Sequence, residues 1–446
     1  MDTTWPPPPE RDVSAGVASA ALTEPPREPL SPGRILGYGL ANLGYGAFYA
    51  LNNAALPLWM GHYTSNALLI GLMASTHSFE GAIIQPLVGT ASDRLRTPLG
   101  RRRPFLLAAV PVSVLFLLLA PLAAHLPAPV RLAAIVACVF LFTVAFNVAM
   151  DPYQALLPDI TPPTQRGRVT GIWMFLGALG QVLLLLLHLP LPAKFVLAAL
   201  LMLATTLLTC LWTPEPPRHA QSGPAPSRRA EVREALRGLR TLRQARTYLL
   251  MFFCYGAGTD AVLPFLTLFI RKITHCGEQT AQTMFVVLMA ATALGMLVFG
   301  WVSDRIGPHK LLLVSLLLIA AAAANGLWVT TLPQVAAVLG LAGLGIAAQN
   351  ASAYPLLTRL VPGEEIGFYT GLQTAAVAIA GPAALALTGA LINHSGYRVI
   401  FAVCAIGIVA GLLILLRLRP HGAAGEIAAR NREQGRAPSP EAALPA

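Results

Sequence analysis

Long apolar runs, one after another and parted only by short polar turns, dictate what this chain can become. A helix needs ~20 residues to cross a bilayer. By that measure there are twelve candidate spans, at 35–60, 67–91, 104–124, 130–157, 168–189, 193–213, 247–271, 280–302, 310–329, 333–360, 366–392 and 396–417. Hydrocarbon offers the backbone no hydrogen-bond partner, so only helices or closed barrels survive in it. Barrel strands would read as ~10-residue alternating segments, and these runs do not alternate. Charged residues make up 11% of the chain, against about 25% in soluble domains, too few to cover a water-facing surface. The expectation is an all-α membrane protein.

The net charge of +11 suggests a polyanionic partner until its placement is examined. Of 31 Lys and Arg, 26 fall in the tails and even-numbered loops; Arg131, Lys194, Arg271, Lys272 and Arg398 fall on the other side. That asymmetry is the positive-inside pattern. It predicts both termini in the cytoplasm of a cell with this protein in its inner membrane, and no nucleic-acid role. Residues 1–34 are proline-rich and lack the apolar core of a signal peptide, so they read as a disordered cytoplasmic tail, as do residues 418–446. Cys138, Cys210, Cys254 and Cys404 lie in apolar runs and read as small buried hydrophobes. With Cys276 they make no disulfide framework.

Residues 214–246 interrupt the apolar runs with Pro214, Pro216, Pro217 and, up to Arg246, eight arginines. They read as a cytoplasmic linker, with Val232, Leu236, Leu239 and Leu242 on one face of an interfacial helix from Arg229 to Arg246. Six spans precede it (35–213) and six follow (247–417), and the halves repeat. Gly89-Thr-Ala-Ser-Asp93-Arg94 after span 2 returns as Gly300-Trp-Val-Ser-Asp304-Arg305 after span 8. An offset of 200 aligns Leu156-Leu157 with Leu356-Leu357, Gly167 with Gly367, and Thr170-Gly171 with Thr370-Gly371. Duplication on this scale is how carriers build a central site between two bundles that rock against each other.

The duplicated loop resembles the major facilitator superfamily across residues 35–417. Gly100-Arg101-Arg102-Arg103-Pro104-Phe105 and Ala155-Leu156-Leu157-Pro158-Asp159 are similar to the sucrose–proton symporters and the related glycoside–pentoside–hexuronide cation symporters. Where those sucrose carriers have Arg before Ala-Leu-Leu, this chain has Gln154. The resemblance implies twelve helices in two pseudo-symmetric six-helix bundles, and a cytoplasmic latch at Asp93 with Arg94, Arg101, Arg102 and Arg103. Asp304, Arg305 and Lys310 would form a weaker twin, with Gly89 and Gly300 allowing close helix approach. Asp159 with Arg166 and Arg168 offers a second contact, and repeat alignment sets Arg359 opposite Asp159. The alternative for each arginine is plain topology charge.

Of 20 acids, only Glu80, Asp151 and Asp260 lie well inside spans. Such residues are expensive in lipid and face cavities or partners, and no basic residue lies at their depth. Each is a proton-coupling candidate, with His77 one turn from Glu80 as a relay or as a packing residue. Pro264 and Pro57 each lack the N–H that would bond to the residue four earlier, so spans 7 and 1 should break near Asp260 and Asn53. Tyr38, Asn42, Tyr45, Tyr49 and Asn52 share one face of span 1. Asn147, Asp151 and Gln154 repeat the pattern on span 4, Trp173 and Gln181 on span 5, Asn350 and Tyr354 on span 10, and Gln373 on span 11. These amides and rings suit a polyhydroxylated or zwitterionic solute, or else join helix to helix.

No phosphate-binding G-x-x-x-x-G-K-[ST] loop, metalloprotease motif or metal-ligand set appears. The chain is read as a monomeric carrier, not an enzyme, needing neither cofactor nor metal. Its partners are a small solute, a proton or other cation, and the lipid bilayer. A proton-coupled sugar or glycoside symporter leads; a proton-driven drug or metabolite exporter is the alternative.

Overall fold

The computed structural model describes residues 29–95, 97–162, 165–213, 215, 242–361 and 366–418, with side chains at all of these except 76–83, 85, 86, 90, 93, 94, 167 and 367. The described chain is helical almost throughout. Span 1 is α1, Pro32–Ala50, running through a π-helical turn at Leu51–Ala55 into α2, Leu56–Met60. Spans 2 to 6 are α3 (Ala67–Arg94), α4 (Arg103–Ala123), α5 (Ala128–Ile160), α6 (Arg166–Leu186) and α7 (Leu191–Trp212). Span 7 is α8 (Arg243–Asp260), a 3₁₀ turn at Leu263–Phe265, and α9 (Leu266–Thr274). Spans 8 to 12 are α10 (Glu278–Ile306), α11 (Pro308–Gly326), α12 (Leu332–Leu357), α13 (Ile366–Ser395) and α14 (Val399–Leu415).

Among the described residues nine spans are long and apolar enough to cross a bilayer, and α14 is a shorter apolar helix of 17 residues. Span 1 with its π turn and the 28-residue α3 complete the twelve. The two predicted breaks are present. Pro57 cannot donate to Asn53, and the helix relaxes into the wider π turn just before it. Pro264 stops α8 at Asp260 and heads the 3₁₀ turn. Helix ends follow local chemistry: Asn66 Oδ1 accepts from Leu69 N at 3.3 Å, and Thr331 with Gln334 forms a capping box. Span 7 starts at Arg243, four residues before the predicted start. The interfacial helix from Arg229 and both tails lie largely outside the described residues.

The dominant pairings in the first half are spans 1–5, 1–6, 2–4, 3–4 and 3–6; in the second they are 7–11, 7–12, 8–10, 9–10 and 9–12. Each pair in one half has its counterpart six spans on. The duplication reaches single bonds. The Tyr38 hydroxyl donates to the Tyr153 carbonyl at 3.2 Å, and Tyr248 to Ala353 at 2.8 Å. Ser113 donates to the Phe142 carbonyl at 2.9 Å, and Ser315 to Gly345 at 2.8 Å. Gly46 meets Gly177, and Gly256 meets Val377. Spans 2–11, 5–8 and 1–7 join the halves.

The face carrying loops 2–3, 4–5, 8–9 and 10–11 is rich in arginine and is called here the basic face. All described bonds between the halves lie on the opposite face. Ala67 N donates to Asn393 Oδ1 at 3.2 Å, His62 Nε2 lies 2.6 Å from Glu278, and Lys194 reaches Gln279 and Gln282. No hydrogen bond or ion pair between two described residues joins the halves on the basic face, where Asp304, Arg305, Arg166, Arg168 and Arg359 are exposed. Among the described residues, then, bonds join the halves on the opposite face only.

Candidate functional site

Asp260 ends α8 where Pro264 prevents its continuation. Its side chain turns onto span 11 at Gly381, so closely that a β-carbon there would lie 2.3 Å from Asp260 Oδ2. Among the described residues the carboxylate accepts no hydrogen bond and forms no ion pair. Further along α8 towards the basic face, the second half carries a polar lattice. The Tyr255 hydroxyl donates to Gln349 Oε1 at 3.3 Å. The Tyr248 hydroxyl lies 2.8 Å from both the Ala353 carbonyl and Gln373 Oε1, so its single proton serves one acceptor at a time. Of these groups the sequence pattern singled out Asp260 and Gln373. Tyr248, Tyr255 and Gln349 were missed, although Tyr248 and Tyr255 stand 210 residues from Tyr38 and Tyr45.

Asp151 on span 4 sits over Gly89 of the duplicated loop; a β-carbon at 89 would lie 2.8 Å from its Oδ2. Two intramembrane carboxylates therefore rest on glycines of a neighbouring span, where any side chain would fill their place. The side chains of Glu80 and His77 lie outside the described residues, as do those of Asp93 and Arg94.

The tyrosine stripe of span 1 proves to be mostly packing. Tyr38 and Tyr153 stack at 5.0 Å and exchange hydroxyl-to-carbonyl bonds at 3.2 and 2.8 Å. Tyr45 is fully buried, edge-on to Phe146 and Tyr153. Tyr49 meets Phe146 edge-on at 5.3 Å and is half-buried. Asn42 Nδ2 donates to the Trp173 carbonyl at 2.7 Å and Asn52 Nδ2 to that of Ala74, joining span 1 to spans 5 and 2. Asn147 donates to Thr143, one turn back on its own helix. Asn42, Tyr45 and Asn147 were expected to line the cavity; in this conformation they bond helix to helix or to their own helix, which lowers the cost of polar atoms away from water.

Exposed polar groups lie elsewhere. Gln154 on span 4 and its repeat partner Tyr354 on span 10 are both exposed, as is Asn350 one turn from Tyr354. Trp173 is half-buried, and its indole N–H has no hydrogen-bond partner among the described residues. Gln154, Asn350 and Tyr354 all lie within the last two turns of their helices, towards the basic face.

The basic-face network has Asp159 as its described acid, the side chain of Asp93 lying outside the described residues. Arg101 meets Asp159 at 2.5 Å, and Arg102 Nε lies 3.3 Å from the same oxygen. Arg102 also bonds Ser92 Oγ, and Arg103 bonds the Cys210 carbonyl. Glu215, unremarked in the proline-rich start of the linker, accepts from Arg102 N at 2.9 Å and lies 3.6 Å from Arg101 Nε. It packs against Gly100, whose φ of +97° suits glycine. Asp159 therefore pairs with loop 2–3, not with the exposed Arg166, Arg168 or Arg359, because spans 3 and 4 are neighbours. The second-half twin is not latched: Arg305 stacks at 3.5 Å on Trp301, Asp304 makes no ion pair among the described residues, and Gly300 has open space before it.

On the opposite face, a vestibule of about 870 Å³ lined by Asn66, Arg271, Lys272, His275, Asn393 and Tyr397 lies outside the closed seams, away from the intramembrane acids. Lys194, counted from sequence as loop charge, is fully buried between the halves.

Comparison with known proteins agrees with this architecture. The family model "Major Facilitator Superfamily" matches residues 38–257 and 248–444. An MFS-type transporter of Aspergillus fumigatus is 24% identical over 48% of this chain and 52% of its own. The Sucrose transport protein SUC4 of Arabidopsis thaliana is 29% identical over 37% of this chain and 35% of its own. Human Solute carrier family 45 member 3 is 35% identical over 23% and 20%. The chain spans about half or less of the length of these curated relatives. Among solved structures, a bacterial homolog of the human lysosomal transporter Spinster, inward-facing and unoccupied, superposes with TM-score 0.64 at 14% identity, covering 92% of this chain and all of that one. A D-xylose-proton symporter gives 0.62 at 16%, covering 86% and 94%.

Proposed function

The chain belongs to the Major Facilitator Superfamily, and from that premise we propose that it is a proton-coupled symporter of a sugar, a glycoside or a similar polyhydroxylated solute. It is a multi-pass membrane transporter and not an enzyme. The observation that carries the coupling is Asp260: a carboxyl at the break of span 7, resting on Gly381, with no described bond or ion pair. A group so placed takes a proton without first giving up a partner. It lies in the half of the molecule whose Tyr248, Tyr255, Gln349 and Gln373 offer hydroxyl and amide groups to a polar solute. Glu80, in the other half, is the second coupling candidate, with Asp151 after it.

The sugar class is supported by the names of two relatives, a sucrose transport protein and a D-xylose-proton symporter. With the basic face in the cytoplasm of an inner membrane, the conformation described is inward-facing and the termini and linker are cytoplasmic. The two bundles, 35–213 and 247–417, work within one monomer, and solute moves by alternating access. Uptake of labelled sugars into proteoliposomes, with and without a pH gradient, tests the reading. Accumulation that collapses with the gradient supports it. Gradient-driven expulsion of apolar cations with no sugar uptake would replace it with the exporter.

A further inference from the structure

The internal repeat makes the 2–11 and 5–8 seams equivalent, yet they are built from different chemistry. At the described end of spans 2–11 the contact is close and mainly apolar, with one bond from Ala67 N to Asn393 Oδ1. A β-carbon at Gly389 would lie 2.6 Å from Leu68 Cα, and Gly71 is covered by Phe265 and Leu385. At spans 5–8 the first turns of α10 present Gln279 and Gln282 instead. Lys194, three residues into α7, places its ammonium 3.0 Å from Gln279 Oε1 and 2.6 Å from Gln282 Oε1. Gln279 Nε2 donates back to the Leu185 carbonyl at the end of α6, at 2.7 Å. The register that aligns Gly89 with Gly300 aligns Gln279 with Leu68 and Gln282 with Gly71. A polar cluster thus occupies the place that close apolar packing fills in the other half.

We propose that Lys194, Gln279 and Gln282 form a lock that holds the opposite face closed and sets how readily it reopens. Lys194 is fully buried, and no described carboxylate pairs with it. A buried ammonium has lost its hydration, which favours opening, and keeps two amide acceptors, which favour closure. These opposing terms leave a seam that parts without exposing apolar surface, whereas separating Gly389 from Leu68 wets hydrocarbon. The exposed His62–Glu278 contact on the same turn adds little, because water screens it. The lock rests on alternating access but not on the solute or the coupling ion.

The test therefore needs no substrate. Spin labels are placed at His188→Cys and Gly277→Cys in the full chain, its five native cysteines replaced by alanine. His188 is exposed, and a β-carbon at Gly277 meets nothing within 4 Å. Gln282→Leu removes one acceptor and leaves the lysine buried, so the open-to-closed ratio across this seam should rise about tenfold or more, the factor for one lost bond to a charged group. Lys194→Met combined with Gln282→Leu replaces both partners with apolar groups and should close the seam again. Gln282→Asn, which only withdraws the acceptor, should move in the same direction as Gln282→Leu. A Gln282→Leu distance distribution identical to wild type, or a double variant no more closed than the single, overturns the proposal.

Discussion

A single methyl group at position 381 is the smallest change that reaches Asp260. A β-carbon there would stand 2.3 Å from Asp260 Oδ2, where contact at about 3.4 Å is ordinary. The carboxylate must therefore swing by roughly 1 Å, at a rotamer cost of about 0.5–1.5 kcal/mol. The backbone need not move, because the obstruction is the end of a side chain, so Gly381→Ala should fold and melt close to wild type. A displacement near 1 Å at a reacting group costs on the order of 10²-fold in rate. Proton-driven accumulation in proteoliposomes should accordingly fall by about 10- to 100-fold. Gly89→Ala is the matched comparison: its β-carbon would lie 2.8 Å from Asp151 Oδ2, roughly half the intrusion, and its effect should be smaller. Wild-type accumulation by Gly381→Ala together with loss in Gly89→Ala would refute the assignment and move coupling to Asp151.

Three further outcomes follow from the same geometry. In Gly180→Ala a β-carbon would come within 1.9 Å of the Leu43 carbonyl oxygen, backbone against backbone between spans 1 and 5, so solubilised protein should lose about 3 kcal/mol of stability, the upper end for overpacking, read as a lowered melting temperature. Arg102→Met strips Ser92, Asp159 and the basic-face network of a buried guanidinium while Arg101 still holds Asp159; a loss of about 2 kcal/mol with faster proteolysis after loop 2–3 is expected, and unchanged protection would return these arginines to topology charge. Glu80→Gln should abolish accumulation against a gradient and spare downhill exchange, whereas Asp260→Asn should weaken solute binding at every pH as well; equal behaviour of the two would show that the halves do not divide these tasks.

Much of the architecture was readable because membrane folding imposes few choices. Span length, arginine placement and the duplicated Gly-x-x-Ser-Asp-Arg loop led to twelve helices in two halves, and the missing N–H of Pro57 and Pro264 located both breaks. The site was less legible. A stripe at steps of three and four says which residues share a face, not what that face meets. Tyr38 and Tyr45 therefore looked like cavity lining, although aromatic packing on span 4 consumes them. Asp159 was assigned to nearby Arg166 and Arg168 because sequence distance stood in for space; the neighbour of span 4 is span 3, so Arg101 and Arg102 reach it. Lys194 was hidden for a related reason: one cation at a span end is indistinguishable from topology charge until the partner, 85 and 88 residues on, is brought beside it. Glu215 disappeared among prolines.

Coupling itself is tested most directly by watching the proton. With purified protein in vesicles and a pH dye inside, solute is added downhill with no pH gradient imposed. Symport predicts that solute entry acidifies the lumen in fixed proportion to solute taken up, and that Asp260→Asn abolishes the acidification. Solute uptake with a lumen pH that never moves would contradict the account and make the carrier a uniporter.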